Sequence, residues 1–200
     1  QERFIVFELD NIKDHPILFP VVTIIIMEVF ISKMRKLKGI RKMILIEEAW
    51  KAIAREGMAE YIKYLFKTVR KFFGEAIVVT QEVEDIISSP VVKQAIINNS
   101  DCKILLDQSK YQNKFDQIQE LLGLTEKEKA QVISINKAND PGKKYKEVFI
   151  SLGGMLSKVY RVEVSAEEYL AYTTEETEKF KLMQLAEQFD GNIEKAITHY

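Results

Sequence analysis

The stretch "KMILIEEAWKAIA", residues 42–54, decides how this chain folds. Four apolar residues, Met43–Ile46, run into two adjacent carboxylates, Glu47 and Glu48, and then into Ala49-Trp50. The apolar run reads as a short buried strand. A carboxylate in mid-strand would be buried without a partner. At the carboxyl end of a strand it instead faces the place where open α/β sheets hold their ligands. The competing reading is that Glu47 and Glu48 open a helix, whose first turn favours negative charge.

Four apolar residues followed by two acids is the Walker B arrangement of nucleotide-hydrolysing P-loop proteins. There the first acid helps hold Mg²⁺ through water, and the second polarises the water that attacks the γ-phosphate. Glu47 is then the candidate metal-side residue and Glu48 the candidate catalytic one. The next predicted strand, "AIVVTQ" at residues 76–81, also ends in polar groups, Thr80 and Gln81. Two adjacent tips offering Glu-Glu and Thr-Gln would make a phosphate-facing shelf, with Thr80 touching nucleotide and Gln81 orienting water. Between them lies "LFKTVRKFFG", residues 65–74, which places Arg70 in the last turn of a predicted helix. A cation there complements the helix dipole. Arginines in such positions also stabilise transition-state charge in a neighbouring subunit's site.

The remaining sequence sets the frame. Two hundred residues suffice for one domain with a sizeable core, and 46% hydrophobic content with a mean hydropathy of −0.14 fits a globular chain. The net charge of −1 supplies no global attraction to nucleic acid or membrane, so any DNA contact needs a local patch. The single cysteine, Cys102, excludes a disulfide framework, points to the cytoplasm, and reads as a buried inert thiol. The longest apolar run, residues 20–27, is far short of the ~20 residues a bilayer needs. His15 and His199 are too isolated for a metal site. The chain opens on "QERFIVFELD" without Met, as expected of a piece of a longer protein.

Phe4–Phe7 is expected to be a strand. A helix over about 20–37 is expected to bury Ile17, Val21, Ile24, Ile25, Val29 and Met34, although the β-branched run Val21–Ile26 reads equally as a strand. A helix from Glu60 to Phe73 is expected to carry Tyr61, Tyr64, Leu65, Val69 and Phe72 on one stripe and to stop at Gly74. Residues 84–99 read as two short helices broken at Pro90, Lys103–Leu106 as a strand, Asn113–Leu122 as a helix, and Thr125 as the start of another with a possible capping box to Glu128. "KANDPGKKYKE" reads as a turn, "EVFISLGG" and "MLSKVYRVEV" as two antiparallel strands, and residues 165–200 as helical with a break at Gly191. Trp50, Phe72 and Phe73 are expected in the core. Fully apolar strands between helices argue for a parallel sheet covered on both faces.

These motifs together resemble the VirB4 family of conjugation ATPases of type IV secretion and, more narrowly, the TraG proteins of conjugative transposons. The matching pieces are "ILIEEAW", "LFKTVRKFFG" and "VVTQEVEDI", followed in order by "SDCKILLDQS", "LLGLTEKE" and "LGGMLSKVYRVEVSAEEYLAYTT". The resemblance implies an α/β, RecA-like P-loop NTPase core: a mostly parallel sheet flanked by helices, here partial, with a C-terminal antiparallel hairpin and helices. It implies residues 1–164 as the C-terminal part of that ATPase domain and 165–200 as a helical segment. ATP and Mg²⁺ are the implied cofactors, with Glu47 as metal-side acid, Glu48 as catalytic acid, Gln81 as sensor and Arg70 as a finger acting in trans. A hexameric ring at the cytoplasmic face of the inner membrane is implied, with other secretion components as partners and DNA as a possible one. Such a ring powers pilus assembly or substrate transfer.

Two departures matter. The family usually has Asp where this chain has Glu47. No Gly-x-x-x-x-Gly-Lys-Ser/Thr loop occurs; "DPGKKYK" has Lys137 where the first Gly should stand. The phosphate loop is therefore expected upstream of Gln1, and the chain alone is expected not to hydrolyse ATP. An ABC-type ATPase is rejected, because "SLGGMLS" lies about a hundred residues after the acids instead of shortly before them. A DNA-translocating coupling ATPase of the same superfamily and a non-enzymatic interaction module are the alternatives.

Overall fold

The computed structural model describes residues 3–47, 58–80, 90–137 and 145–200. They form two compact units, the first from residues 1–103, 113–125 and 152–154, the second from 104–112, 126–151 and 155–200.

In the first unit, helix α1 (Leu18–Lys36) leads into strand β1 (Lys42–Glu47). Helix α2 (Met58–Thr68) continues as a 3-10 turn, Val69–Phe72, into strand β2 (Gly74–Val79). Helix α3 (Pro90–Asn99) follows. β1 and β2 pair in parallel, with Lys42 opposite Gly74 and Glu47 opposite Val79. Their inward face, Ile44, Ile46, Ala76 and Val78, packs on a core of Met27, Met34, Ile62, Leu65, Phe66, Val69 and Ile96. Helix α4 (Phe115–Leu122) buries Phe115, Ile118 and Leu121 at helical spacing and ends on Gly123 at φ +65°, a left-handed position suited to glycine.

Strand β3 (Cys102–Leu105) lies beside β4 (Tyr145–Leu152), which in turn pairs with β5 (Leu156–Glu163), in an antiparallel three-stranded sheet. In the second unit, helix α5 (Glu126–Ser134) packs against β5. Glu128 of α5 is buried, and its Oε1 accepts a hydrogen bond from the Ser151 hydroxyl at 3.2 Å. Asn136, at φ +57°, receives and returns a bond: its N–H donates to Glu147 at 2.8 Å and its Oδ1 accepts from the Glu147 N–H at 3.0 Å. The chain closes with helices α6 (Ala166–Tyr172), α7 (Glu176–Glu187) and α8 (Ile193–His199). Ser165 and Glu168 cap α6 reciprocally, and Leu182, Ala186 and Ala196 form the local core of α7 and α8.

The predicted strands from Met43, Ala76 and Lys103, the β4–β5 hairpin and the helical C-terminus with its break at Gly191 are all present, so the mixed α/β class holds. Several finer expectations do not hold. Phe4–Phe7 forms no strand and Phe4 is 85% exposed; no neighbouring chain among the described residues supplies the ladder that would satisfy its backbone. Along α1 the expected burial holds at Met34 alone: Phe19, Met27 and Ile31 are buried with it, whereas Ile17, just before the helix, and Val21, Ile24, Ile25 and Val29 are exposed. α2 buries Ile62 and Phe66 beside Leu65 and Val69, and Tyr64 instead accepts a bond from Arg35. The parallel sheet is covered on its inward side, while Met43 and Leu45 of β1 point outward and are exposed. Cys102 is exposed, because it opens an alternating strand on the outer side. Phe72 packs on the core but Phe73 is 55% exposed. Trp50, the start of the paired helices before Pro90, and the 138–144 turn lie outside the described residues.

Candidate functional site

The parallel register fixes the geometry of the predicted shelf. Glu47 is the last residue of β1 and sits opposite Val79, the last residue of β2. Thr80 follows one residue later, so Glu47 and Thr80 stand at adjacent strand tips. Alternation along β1 puts Ile44 and Ile46 on the core and turns Glu47 outward with Met43 and Leu45. The Glu47 carboxylate is thus exposed at the carboxyl end of a parallel pair, where a ligand meets an α/β sheet. Thr80 is half-buried. Glu48 and Gln81 lie outside the described residues, each next in sequence to one of these tips.

Arg70 is elsewhere. It lies in the 3-10 turn that enters β2, at the opposite end of the strands, and it is exposed. Five residue steps along a strand span about 16 Å. Arg70 and the Glu47–Thr80 tips are therefore separated by the length of the sheet, beyond the reach of one arginine side chain. A role for Arg70 at phosphates held by its own strand tips does not fit this placement.

That same end of the first unit gathers many cations. Residues 29–46 contain six Lys or Arg and no acid, and residues 61–74 contain four and no acid. The fold brings the two stretches together: Arg35 Nη2 donates to the Tyr64 hydroxyl at 2.7 Å, and Lys42 Nζ donates to the carbonyls of Met34 at 3.3 Å and Phe72 at 2.8 Å. The Arg35 guanidinium holds the Tyr64 phenol below its ordinary pKa. The acid-free stretches are visible in the sequence, but only the pairing of β1 with β2 makes them one surface.

The exposed Glu47 carboxylate is a hard oxygen donor of the kind that suits Mg²⁺, which takes one or two protein oxygens and keeps several waters. Among the described residues no group of three or more metal-ligating side chains is present.

The family comparison bears on the fold that holds this parallel pair: the TraG P-loop domain matches residues 1–200. The chain belongs to the TraG P-loop domain family. The chain is also similar to the solved structure of VirB4 of Thermoanaerobacter pseudethanolicus, with a TM-score of 0.55 at 21% identity. That likeness covers 82% of this chain and 41% of the VirB4 chain, so this chain spans less than half of its structural relative. At this identity the likeness speaks for the P-loop NTPase fold. No curated protein matches the chain. No helix among the described residues is long and apolar enough to cross a membrane.

Proposed function

We propose that this chain is the Walker B part of a conjugative-transfer ATPase, in which ATP hydrolysis powers pilus assembly or substrate transfer. The observation that carries the reading is that Glu47 ends β1 opposite Val79, with Thr80 one residue beyond, so that an acid and a hydroxyl residue stand at adjacent tips of a parallel pair. On this reading residues 1–164 are the C-terminal part of a RecA-like ATPase domain and 165–200 a helical addition. Mg²⁺, when bound with ATP, neutralises charge building on the phosphates. Glu47 would hold the metal's water shell, Thr80 would donate its hydroxyl to phosphate oxygen, Glu48 would accept the proton of the attacking water, and Gln81 would orient that water. Glu in place of the family's Asp at position 47 adds a methylene, which a water-mediated contact accommodates. Arg70, remote from its own tips, would serve a neighbouring subunit in a ring. The expected setting is the cytoplasmic side of the inner membrane among other secretion components.

The experiment uses a longer protein carrying a phosphate loop upstream. Glu48→Gln should leave ATP binding intact and lower turnover by ~10²-fold or more, as expected for loss of a positioned base. Turnover within a few-fold of wild type would remove Glu48 from the mechanism. The 200-residue chain alone should show no micromolar binding of a nucleotide analogue, because a phosphate loop normally supplies the backbone N–H cradle.

A further inference from the structure

Lys42 stands where the alternation of β1 calls for an apolar side chain. It shares the inward face with Ile44 and Ile46 and is half-buried there. An ammonium in such a place needs acceptors. It has two: Nζ donates to the Phe72 carbonyl at 2.8 Å and to the Met34 carbonyl at 3.3 Å. We infer that Lys42 is a positioning residue for Arg70: by bonding the end of the 3-10 turn that carries Arg70, it fixes the point from which that guanidinium leaves the subunit. The inference rests on the reading of Arg70 as a finger acting in trans and names what holds the finger in place.

Both acceptors belong to helix ends, where the last carbonyls have no N–H of their own helix ahead of them. Met34 lies in the last turn of α1, and Phe72 closes the 3-10 turn Val69–Phe72. A cation also answers the negative end of each helical segment. One ammonium thereby joins two helix ends to the first residue of β1. The backbone adds a second tie, since the Lys42 N–H donates to the Phe73 carbonyl at 3.2 Å.

Arg70 hangs on the same frame. Val69 before it is buried and Phe72 after it packs on the core, so the turn is anchored on both sides while Arg70 itself is exposed. The Arg70 carbonyl accepts the Phe73 N–H at 3.1 Å, and Phe73 takes φ +57°, a strained state for a bulky residue that persists only where the surroundings impose it. A 3-10 turn is a weak support by itself, because its hydrogen-bond geometry is poorer than that of an α-helix. A finger mounted on one needs fixing from outside, since a misplacement of about 1 Å can cost ~10²-fold in rate. Lys42 fixes it from the strand whose other end carries Glu47.

The test is steady-state ATP hydrolysis by the longer protein that carries the phosphate loop. Arg70→Ala should lower kcat by ~10³-fold or more. Lys42→Met keeps the buried stem and removes the ammonium. It should lower kcat about tenfold with KM for ATP changed by less than about twofold, because Arg70 acts in the transition state and not in substrate binding. Lys42→Arg, which keeps donors for both carbonyls, should recover most of the loss. The deciding measurement is the double variant: in the Arg70→Ala background, Lys42→Met should change the residual turnover by less than about twofold, since nothing is left to position. The same loss in both backgrounds is what a merely structural lysine gives, and it overturns the proposal, as does wild-type kcat in Lys42→Met. Wild-type turnover in Arg70→Ala would instead remove the finger reading itself, and the positioning role with it. In the 200-residue chain, Lys42→Met should speed amide exchange at Phe73 while the amides of α2 keep their protection. Unchanged exchange at Phe73 overturns the proposal independently of hydrolysis. Lys42→Gln serves in both measurements if circular dichroism shows Lys42→Met unfolded.

Discussion

At Gly74 a single hydrogen fills the space that a methyl group would need. A Cβ built there would lie 2.7 Å from Val69 Cγ2 and 3.2 Å from the Val69 carbonyl. Val69 is buried in the core, so it has little room to yield. Gly74→Ala should therefore cost about 1–3 kcal/mol, the usual penalty for overpacking, measurable as a fall in the urea midpoint with unchanged slope. Asp107 offers a pH test. Its carboxylate accepts bonds from the Ser109 hydroxyl and, at 2.8 Å, from the Ser109 N–H, which hold its pKa below the ordinary value. A depressed carboxylate contributes stability above its unfolded pKa and loses it as pH falls through the folded value. Asp107→Asn should lower stability at neutral pH and flatten the acid limb, the variant and wild type converging at low pH where Asp107 is protonated in both states; an unchanged acid limb would remove Asp107 as a contributor. Residue identity alone read Phe73 as core because it follows Phe72 in an apolar context. The sequence carried no sign that Gly74 would be reserved for close approach and that Phe73 would take the left-handed turn.

Among the elements, α1 shows what periodicity can and cannot deliver. Of the two readings its β-branched run allows, the helix over about 20–37 is the one the fold adopts, as Leu18–Lys36. Yet the helix carries two apolar stripes, and period 3.6 does not say which one faces inward. The bulkier Phe19–Met27–Ile31–Met34 stripe took the core. Phe4–Phe7 fails for a related reason, since a strand exists only with a partner and composition names none. The strands β1, β2, β4 and β5 were legible because each pairs with a neighbour read from the same chain. Capping was legible only in part. At α6, Ser165 accepts from the Glu168 N–H at 3.1 Å and Glu168 accepts from the Ser165 N–H at 3.0 Å. Ser165→Ala should cost about 1 kcal/mol locally. Amide exchange at Glu168 and Tyr169 should accelerate accordingly, with helices α7 and α8 unaffected.

For the whole molecule, the parallel pair has two chemically unlike ends: acid and hydroxyl at one, cations at the other. Half of the candidate site could be read from strand-end residues, because parallel register converts adjacent tips into neighbours. The location of Arg70 could not, since its distance from Glu47 depends on which way the turn enters β2. On the proposed reading, longer subunits carrying Arg70→Ala mixed with subunits carrying Glu48→Gln should regain part of the lost hydrolysis, because some interfaces pair an intact Glu48 with an intact neighbouring Arg70. Uniformly dead mixtures, with assembly verified by light scattering, would count against action in trans. The outer stripe of α1 has a practical consequence as well. Ile17, Val21, Ile24, Ile25 and Val29 present branched hydrocarbon to water along most of a nineteen-residue helix. Surfaces of that kind make a purified domain cling to itself, to columns and to chaperones. Preparations of this chain should show concentration-dependent turbidity that ammonium sulfate worsens, and replacing Val21 and Ile25 with lysine should clear it without lowering the melting temperature.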